Sequence, residues 1–269
     1  MLISIFAVLA GLAFGSFLNV CISRLPRHES IVTPRSRCPR CLTQIENRDN
    51  IPLLSWLLLR GRCRHCGVRI AVRYPLIEVA NAALFLLCFL AFGLTVRGVA
   101  SAVLCWLLLG LASTDAETML LPDALTLPGL ALGVVYSALV SPDGSFAPLQ
   151  WRHAGESLLW AACAAAVILL IRGMYWLIRR REGIGLGDAK LLAMIAAWIG
   201  PLQTALVLFL AVIAAAVYGL AFLAWHQRSQ AAHPDATTRV PLGAFLCAAG
   251  IVAIFEGDSI LNWYMGFFR

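Results

Sequence analysis

The sequence predicts an all-α polytopic membrane protein of about eight transmembrane helices, with one small loop domain inserted after the first. Three observations predict it. Of 269 residues, 61% are apolar and only 13% charged, where a water-soluble domain carries roughly 25% charged residues, so most of the surface must face lipid. The apolar residues fall into blocks close to a bilayer crossing in length, about 20 residues at about 1.5 Å each. Between the first two blocks lies a long segment dense in arginine and cysteine.

Leu2 to Ile22 carries no charge and is followed, not preceded, by its first arginine, Arg24. That order fits a retained membrane helix better than a cleaved signal peptide. Further spans are expected at about 77–94, 98–114, 124–140, 156–178, 189–199, 202–225 and 242–256. The sixth and eighth are short and would be tilted, embedded against neighbours or partly re-entrant. The fifth to seventh are rich in Ala and Gly, which lets backbones approach closely in lipid. The chain divides into a first transmembrane helix (1–22), a loop domain (23–76) and a membrane-embedded domain (77–269). Residues 226–240 are polar and contain Pro234, so they read as a flexible loop with His226 and His233 solvated.

The net charge of +7 comes from 20 arginines and Lys190 against 14 acids, and eleven of the arginines lie between Arg24 and Arg73. Basic residues in a loop between apolar blocks set topology and contact phospholipid headgroups, so they do not indicate nucleic-acid binding. They place 23–76 in the cytosol. Alternation then puts 115–123, 179–188 and 226–241 on the same side, with Arg179, Arg180, Arg181, Arg228 and Arg239. The other side holds only Arg97, Arg152 and Arg269.

The loop contains Cys38-Pro-Arg-Cys41 and Cys63-Arg-His-Cys66. Two CxxC pairs at this spacing can close a tetrahedral zinc site, as in zinc ribbons. Two disulfides are the alternative, which a reducing cytosol disfavours, and the flanking arginines favour thiolates. Four thiolates saturate Zn²⁺, so the ion would be structural and would not hydrolyse anything. His65 reads as an outer or exposed neighbour of the site. Cys21, Cys88, Cys105, Cys163 and Cys247 lie in apolar spans and read as packing residues.

Two carboxylates stand out from the rest. Asp115 ends an apolar span, and Asp188 opens another within Gly185-Leu186-Gly187-Asp188. Ionisable groups at membrane depth cost several kcal/mol and are functional candidates by default. Both fall on the same side of the expected topology. Two carboxylates brought together share a proton, one acting as base on a water while the other stays protonated. That chemistry hydrolyses peptides without a metal or a covalent intermediate. Gly185 and Gly187 permit unusual backbone angles and the close approach of a substrate strand. Helix capping is the competing reading for Asp188, with a helix beginning at Ala189, and the preferred one for Asp123, with a helix beginning near Ala124. Glu117 reads as interfacial. Lys190 would bind substrate or a headgroup phosphate, or tune Asp188.

Taken together these residues resemble the type IV prepilin peptidase family, the bifunctional prepilin leader peptidase/N-methyltransferases of bacteria. The likeness runs through Gly15-Ser16-Phe17-Leu18-Asn19-Val20, Arg24-Leu25-Pro26, Ser36 to Cys41, Asp49 to Trp56 and Arg73 to Glu78. It continues in Asp115 to Asp123 and in Gly185 to Lys190. The resemblance implies an enzyme of the bacterial inner membrane that cleaves prepilins or type II secretion pseudopilins on the cytosolic face. It then methylates the new N-terminus with S-adenosylmethionine. It implies Asp115 and Asp188 as the catalytic pair and Cys38, Cys41, Cys63 and Cys66 as the metal ligands. No GxGxxG marks a methyl-donor site. Asn19, Arg24, Arg73 and Glu78 are the candidates for it, against headgroup contact for the arginines and helix packing or capping for Asn19 and Glu78.

A membrane binding or transport protein, with proton-relaying aspartates and a partner-recruiting zinc loop, is the alternative from another class. A methyltransferase that has lost proteolysis is a third reading, disfavoured by the intact Gly185–Asp188 motif. The absence of HExxH and of G-x-S-x-G leaves serine and metal proteases without support.

Overall fold

The computed structural model describes residues 2–140, 150–180, 185–228 and 240–267, with side chains described as far as Ala224 in the third of these ranges. Among the described residues there are eight α-helices: α1 (Leu2–Arg24), α2 (Leu54–Leu58), α3 (Arg73–Phe92), α4 (Val96–Thr118), α5 (Asp123–Leu139), α6 (Trp151–Arg179), α7 (Leu186–Arg228) and α8 (Leu242–Gly266). Among the described residues the loop's only β-pairing is two isolated bridges.

Six helices, all but α2 and α5, are long and apolar enough to cross a membrane, and α5 is a shorter apolar helix. The eight expected apolar segments are therefore all helical, but the sixth and seventh belong to one element. α7 is broken at Gly200 (φ 77°, ψ 179°), just before Pro201. Its second half runs back beside α8: Gln203 donates to Asp258 (2.6 Å) at one end, and the Tyr218 and Phe245 rings lie 5.6 Å apart at the other. Proline cannot continue the hydrogen-bond ladder, and glycine alone accepts this backbone angle without strain.

Several expected boundaries are corrected. α4 continues past 114 to Thr118, so Asp115 sits in its last turns. α7 starts at Leu186, not 189. α8 runs 25 residues to Gly266, so it is not short; Glu256 and Asp258 had cut its apolar window. Residues 226–228 of the expected polar loop are helical, while its remainder through 239, and Arg181, lie outside the described residues.

The chain forms two compact units, residues 1–110 and 111–269. In the first, α1 and α3 pack antiparallel through Gly11 and Gly15. A Cβ on Gly11 would lie 2.6 Å from the Ala82 Cα, and one on Gly15 2.8 Å from the Glu78 Cα. This is the small-xxx-small contact by which helices associate in lipid. Asn81, fully buried, donates to the Gly11 carbonyl at 2.7 Å. In the second unit Leu130 and Val134 of α5 pack against Ala161 of α6 and Ala193 and Ala197 of α7. Trp198 donates to the Gly129 carbonyl (2.8 Å) and Ser157 to that of Ala197 (3.0 Å).

Candidate active site and metal centre

Asp115 and Asp188 lie in the second unit, both buried. Asp188 is the third residue of α7, not its N-cap, and its carboxylate reaches back to accept the Gly185 N–H at 3.2 Å. That is the returning arm of a capping box. Asp115 accepts the Ala244 N–H at 2.8 Å, so the first turn of α8 closes on it. Helix N-termini offer unpaired N–H groups, and here one is directed at a carboxylate. The space is tight: a Cβ on Gly243 would lie 2.9 Å from Asp115 Oδ2.

Leu121 links the two acids. Its side chain sits against both Gly187 and Gly243, where a Cβ would meet it at 3.1 and 3.0 Å. Cys247, one turn into α8, is fully buried. The ends of α4, α7 and α8 thus converge on one buried polar spot.

Asp123 and Lys190 have a single account. Asp123 is the first residue of α5, but its carboxylate takes the Lys190 ammonium at 2.7 and 2.8 Å instead of capping the helix. The pair is half-exposed and ties the start of α5 to α7. Glu117 is exposed on α4. The sequence reading missed Gly243, Ala244 and Leu121. Pro241 and Gly243 at the mouth of an apolar block were the available signal.

In the first unit the four cysteine sulfurs Cys38, Cys41, Cys63 and Cys66 all lie within 4.8 Å of one another, and Cys38 and Cys66 are 3.8 Å apart. A tetrahedron with metal–sulfur bonds of about 2.3 Å has edges of about 3.8 Å, while a disulfide needs about 2.05 Å. The donor set therefore fits one tetrahedral metal ion and not two bridges. Each CxxC lies on a tight turn. Cys38 donates to the Thr43 carbonyl and accepts from Leu42; Cys63 donates to that of Val68 and accepts from Gly67. Leu42 (φ 57°) and Gly67 (φ 68°) take the same left-handed position.

The thiols do not ionise alike. Hydrogen bonds from the Thr43 side chain and backbone pull Cys41 down to about 6. The backbone amides of Cys66 and His65 pull Cys63 down. Cys66, despite the Val68 amide, is pushed up to about 11 by desolvation and by the neighbouring sulfurs. Four crowded sulfurs cannot all carry charge unless a cation joins them. Asp49 and Arg64 brace the loop with a bidentate pair (2.6–3.1 Å), which holds the Asp49 carboxyl below its usual range.

The four remaining candidates gather where α1 and α3 meet the loop. Asn19 donates to the Tyr74 carbonyl (3.0 Å) and Arg24 to those of Ser30 (2.8 Å) and Pro34 (2.7 Å). Glu78 accepts the Leu53 N–H at 2.7 Å, and the Arg73 guanidinium lies 5.0 Å from the Tyr74 ring centre. Of the four, only Arg24 lines the cavity there. The cavity is about 180 Å³, walled also by Val20, Ile31, Arg35 and Asn50. Pockets that enclose a drug-sized ligand run to about 300–1,000 Å³, so this one is too small to enclose such a molecule whole.

Comparison with known proteins agrees with this layout. Residues 9–92 match the bacterial peptidase A24 N-terminal domain, and residues 102–220 match the type IV leader peptidase family. Three curated relatives bear the name prepilin leader peptidase/N-methyltransferase. That of Aeromonas salmonicida is 35% identical over 96% of this chain and 92% of its own. That of Legionella pneumophila is 34% identical over 96% and 93%. That of Myxococcus xanthus is 42% identical over 82% and 64%. No solved structure matches the chain significantly. With apolar helices of membrane length, a four-cysteine cluster and relatives aligned nearly end to end, this chain belongs to the type IV leader peptidase family.

Proposed function

We propose that the chain is a multi-pass membrane aspartic endopeptidase that removes prepilin or pseudopilin leaders and N-methylates the new N-terminus. The observation that carries the proteolytic half is the convergence of Asp115 and Asp188, from separate helices, at the start of α8. One carboxylate takes a proton from a bound water as the other, protonated, polarises the scissile carbonyl. The Ala244 N–H orients Asp115 and the Gly185 N–H orients Asp188, so neither has to be ordered when substrate binds. Gly187 and Gly243 leave room for Leu121 to pack between the helix ends that carry the two acids. Lys190 and Asp123 hold α5 against α7 beside the site.

The division of labour follows the chain: α1 anchors, residues 23–76 form the metal-binding and methyltransferase loop, and 77–269 form the protease. Zn²⁺ suits the four-sulfur set, where it would organise the loop and leave no position for water. S-adenosylmethionine is the methyl donor the family uses. Asn19, Arg24, Arg73 and Glu78 are this chain's candidates to hold it, and all four also carry structural contacts. We place the enzyme in the bacterial inner membrane, with loop and dyad toward the cytosol, because eleven arginines crowd that loop.

Co-expression with a prepilin and mass spectrometry of the product tests both halves, since leader loss and N-methylation register together. Asp115→Asn and Asp188→Asn should each lower cleavage by about 10²–10⁴-fold while the protein stays folded and keeps its metal. Undiminished cleavage by either variant refutes the dyad.

A further inference from the structure

We infer that α2 is an interfacial anchor, seating the cysteine-bearing loop on the bilayer by inserting Leu54, Leu57 and Leu58 beside anionic phospholipid headgroups bound by Arg60, Arg62 and Arg69. α2 begins close to the edge of the hydrocarbon core. Leu53, immediately before α2, donates its N–H to the Glu78 carboxylate at 2.7 Å. Glu78 is five residues along α3 from Arg73, about 7–8 Å at about 1.5 Å per residue. α3 has 20 residues, about the thickness of the hydrocarbon core. Its Arg73 end therefore lies at the edge of that core, and Glu78 pins the start of α2 at or below headgroup level.

α2 turns its leucines outward. Ser55 is buried and Trp56 turns inward, donating to the Ile70 carbonyl at 3.4 Å. Leu54, Leu57 and Leu58 face outward at 49, 55 and 73% exposure, with Ile51 at 47% beside them. So short a helix with this much exposed aliphatic surface has the composition of an element lying in the membrane interface.

Exposed arginines border that face. Arg62 and Arg69 face each other across an antiparallel bridge, and Arg60 follows α2 directly. Like charges directly opposite destabilise a pair. Arg48 and Arg64 have carboxylate partners in Glu46 and Asp49. Among the described residues Arg60, Arg62 and Arg69 have no ion-pair partner and are exposed. An apolar face bordered by unneutralised arginines at headgroup depth fits an anionic lipid surface.

The test uses the full chain in nanodiscs of phosphatidylcholine alone or mixed with phosphatidylglycerol. Photoreactive benzoylphenylalanine replaces Leu58 or, as a control, the exposed His65. Leu58 should yield a lipid adduct in both bilayers and His65 should not. The Leu58 yield should rise about five-fold or more with phosphatidylglycerol, the worth of one arginine–headgroup contact. The combined variant Arg60→Ala, Arg62→Ala, Arg69→Ala should lose that rise at unchanged zinc content. A Leu58 adduct only to protein, to an added prepilin or to nothing overturns the proposal, as does a rise that survives the triple variant. No arm depends on cleavage, so the outcome is independent of the enzymatic reading.

Discussion

The cysteine cluster and the aspartate pair are both small polar sites, yet they are built in opposite ways. The four sulfurs come from 29 consecutive residues, Cys38 to Cys66, and two short turns arrange them. Asp115 and Asp188 are 73 residues apart in sequence, and the amide that holds Asp115 lies 129 residues away. The first site needs only local backbone geometry and a cation. The second needs α4, α7 and α8 to meet, with Leu121 as the spacer. A local site should fail by losing its ligand, a convergent one by small displacements.

The largest effect expected from breaking that contrast is at the cysteines. Cys63→Ser should strip the metal and unfold the loop, because structural zinc supplies about 10–16 kcal/mol in comparable sites. Metal analysis and proteolysis of the loop measure it; a metal-loaded, protease-resistant variant would contradict the four-ligand assignment.

At the convergent site, one added methyl should matter. Gly243→Ala puts a Cβ 2.9 Å from Asp115 Oδ2. Displacing a catalytic group by about 1 Å costs about 10²-fold. The loss should appear in kcat with KM and metal content unchanged, and a wild-type kcat would show that α8 does not shape the site.

The two turns of the cluster offer a finer comparison. Leu42 and Gly67 share a left-handed backbone, in which a non-glycine residue pays about 1–2 kcal/mol. Leu42→Gly should strengthen metal retention and Gly67→Ala weaken it, each by about 1 kcal/mol, read by competition with a chelator. Shifts of the same sign would refute the equivalence of the turns.

The smallest effect belongs to Lys190→Met. The pair with Asp123 is half-exposed, and such bridges contribute about 0–1 kcal/mol. Stability should hardly move, and cleavage should fall by less than about ten-fold. A loss as large as that of Asp188→Asn would give Lys190 a direct part in the chemistry.

Much of the fold was legible because lipid imposes simple rules. Every apolar block expected to be a helix is one. Boundaries near charged residues were harder to place: Asp115, Asp188, Glu256 and Asp258 each cut an apolar window short while the helix continued. Asp115 and Asp258 take their donors, the Ala244 N–H and the Gln203 amide, from helix segments that no local window contains, whereas the donor to Asp188 is the nearby Gly185 N–H. For Asp123 and Lys190, sequence reading left capping and binding roles, but their actual partners are each other, 67 residues apart.

The sequence by itself determined that the chain is helical and built for lipid, that four cysteines form one group, and that Asp115 and Asp188 are the acids to watch. Composition, spacing and the cost of burying charge are local properties, readable one segment at a time. Only the tertiary structure decided that α7 doubles back at Gly200, that Leu121 fills the gap between Gly187 and Gly243, and that an amide of α8 holds Asp115. Close packing at glycine and hydrogen bonds to distant backbone depend on which helix ends meet, and that is a property of the whole assembly of helices.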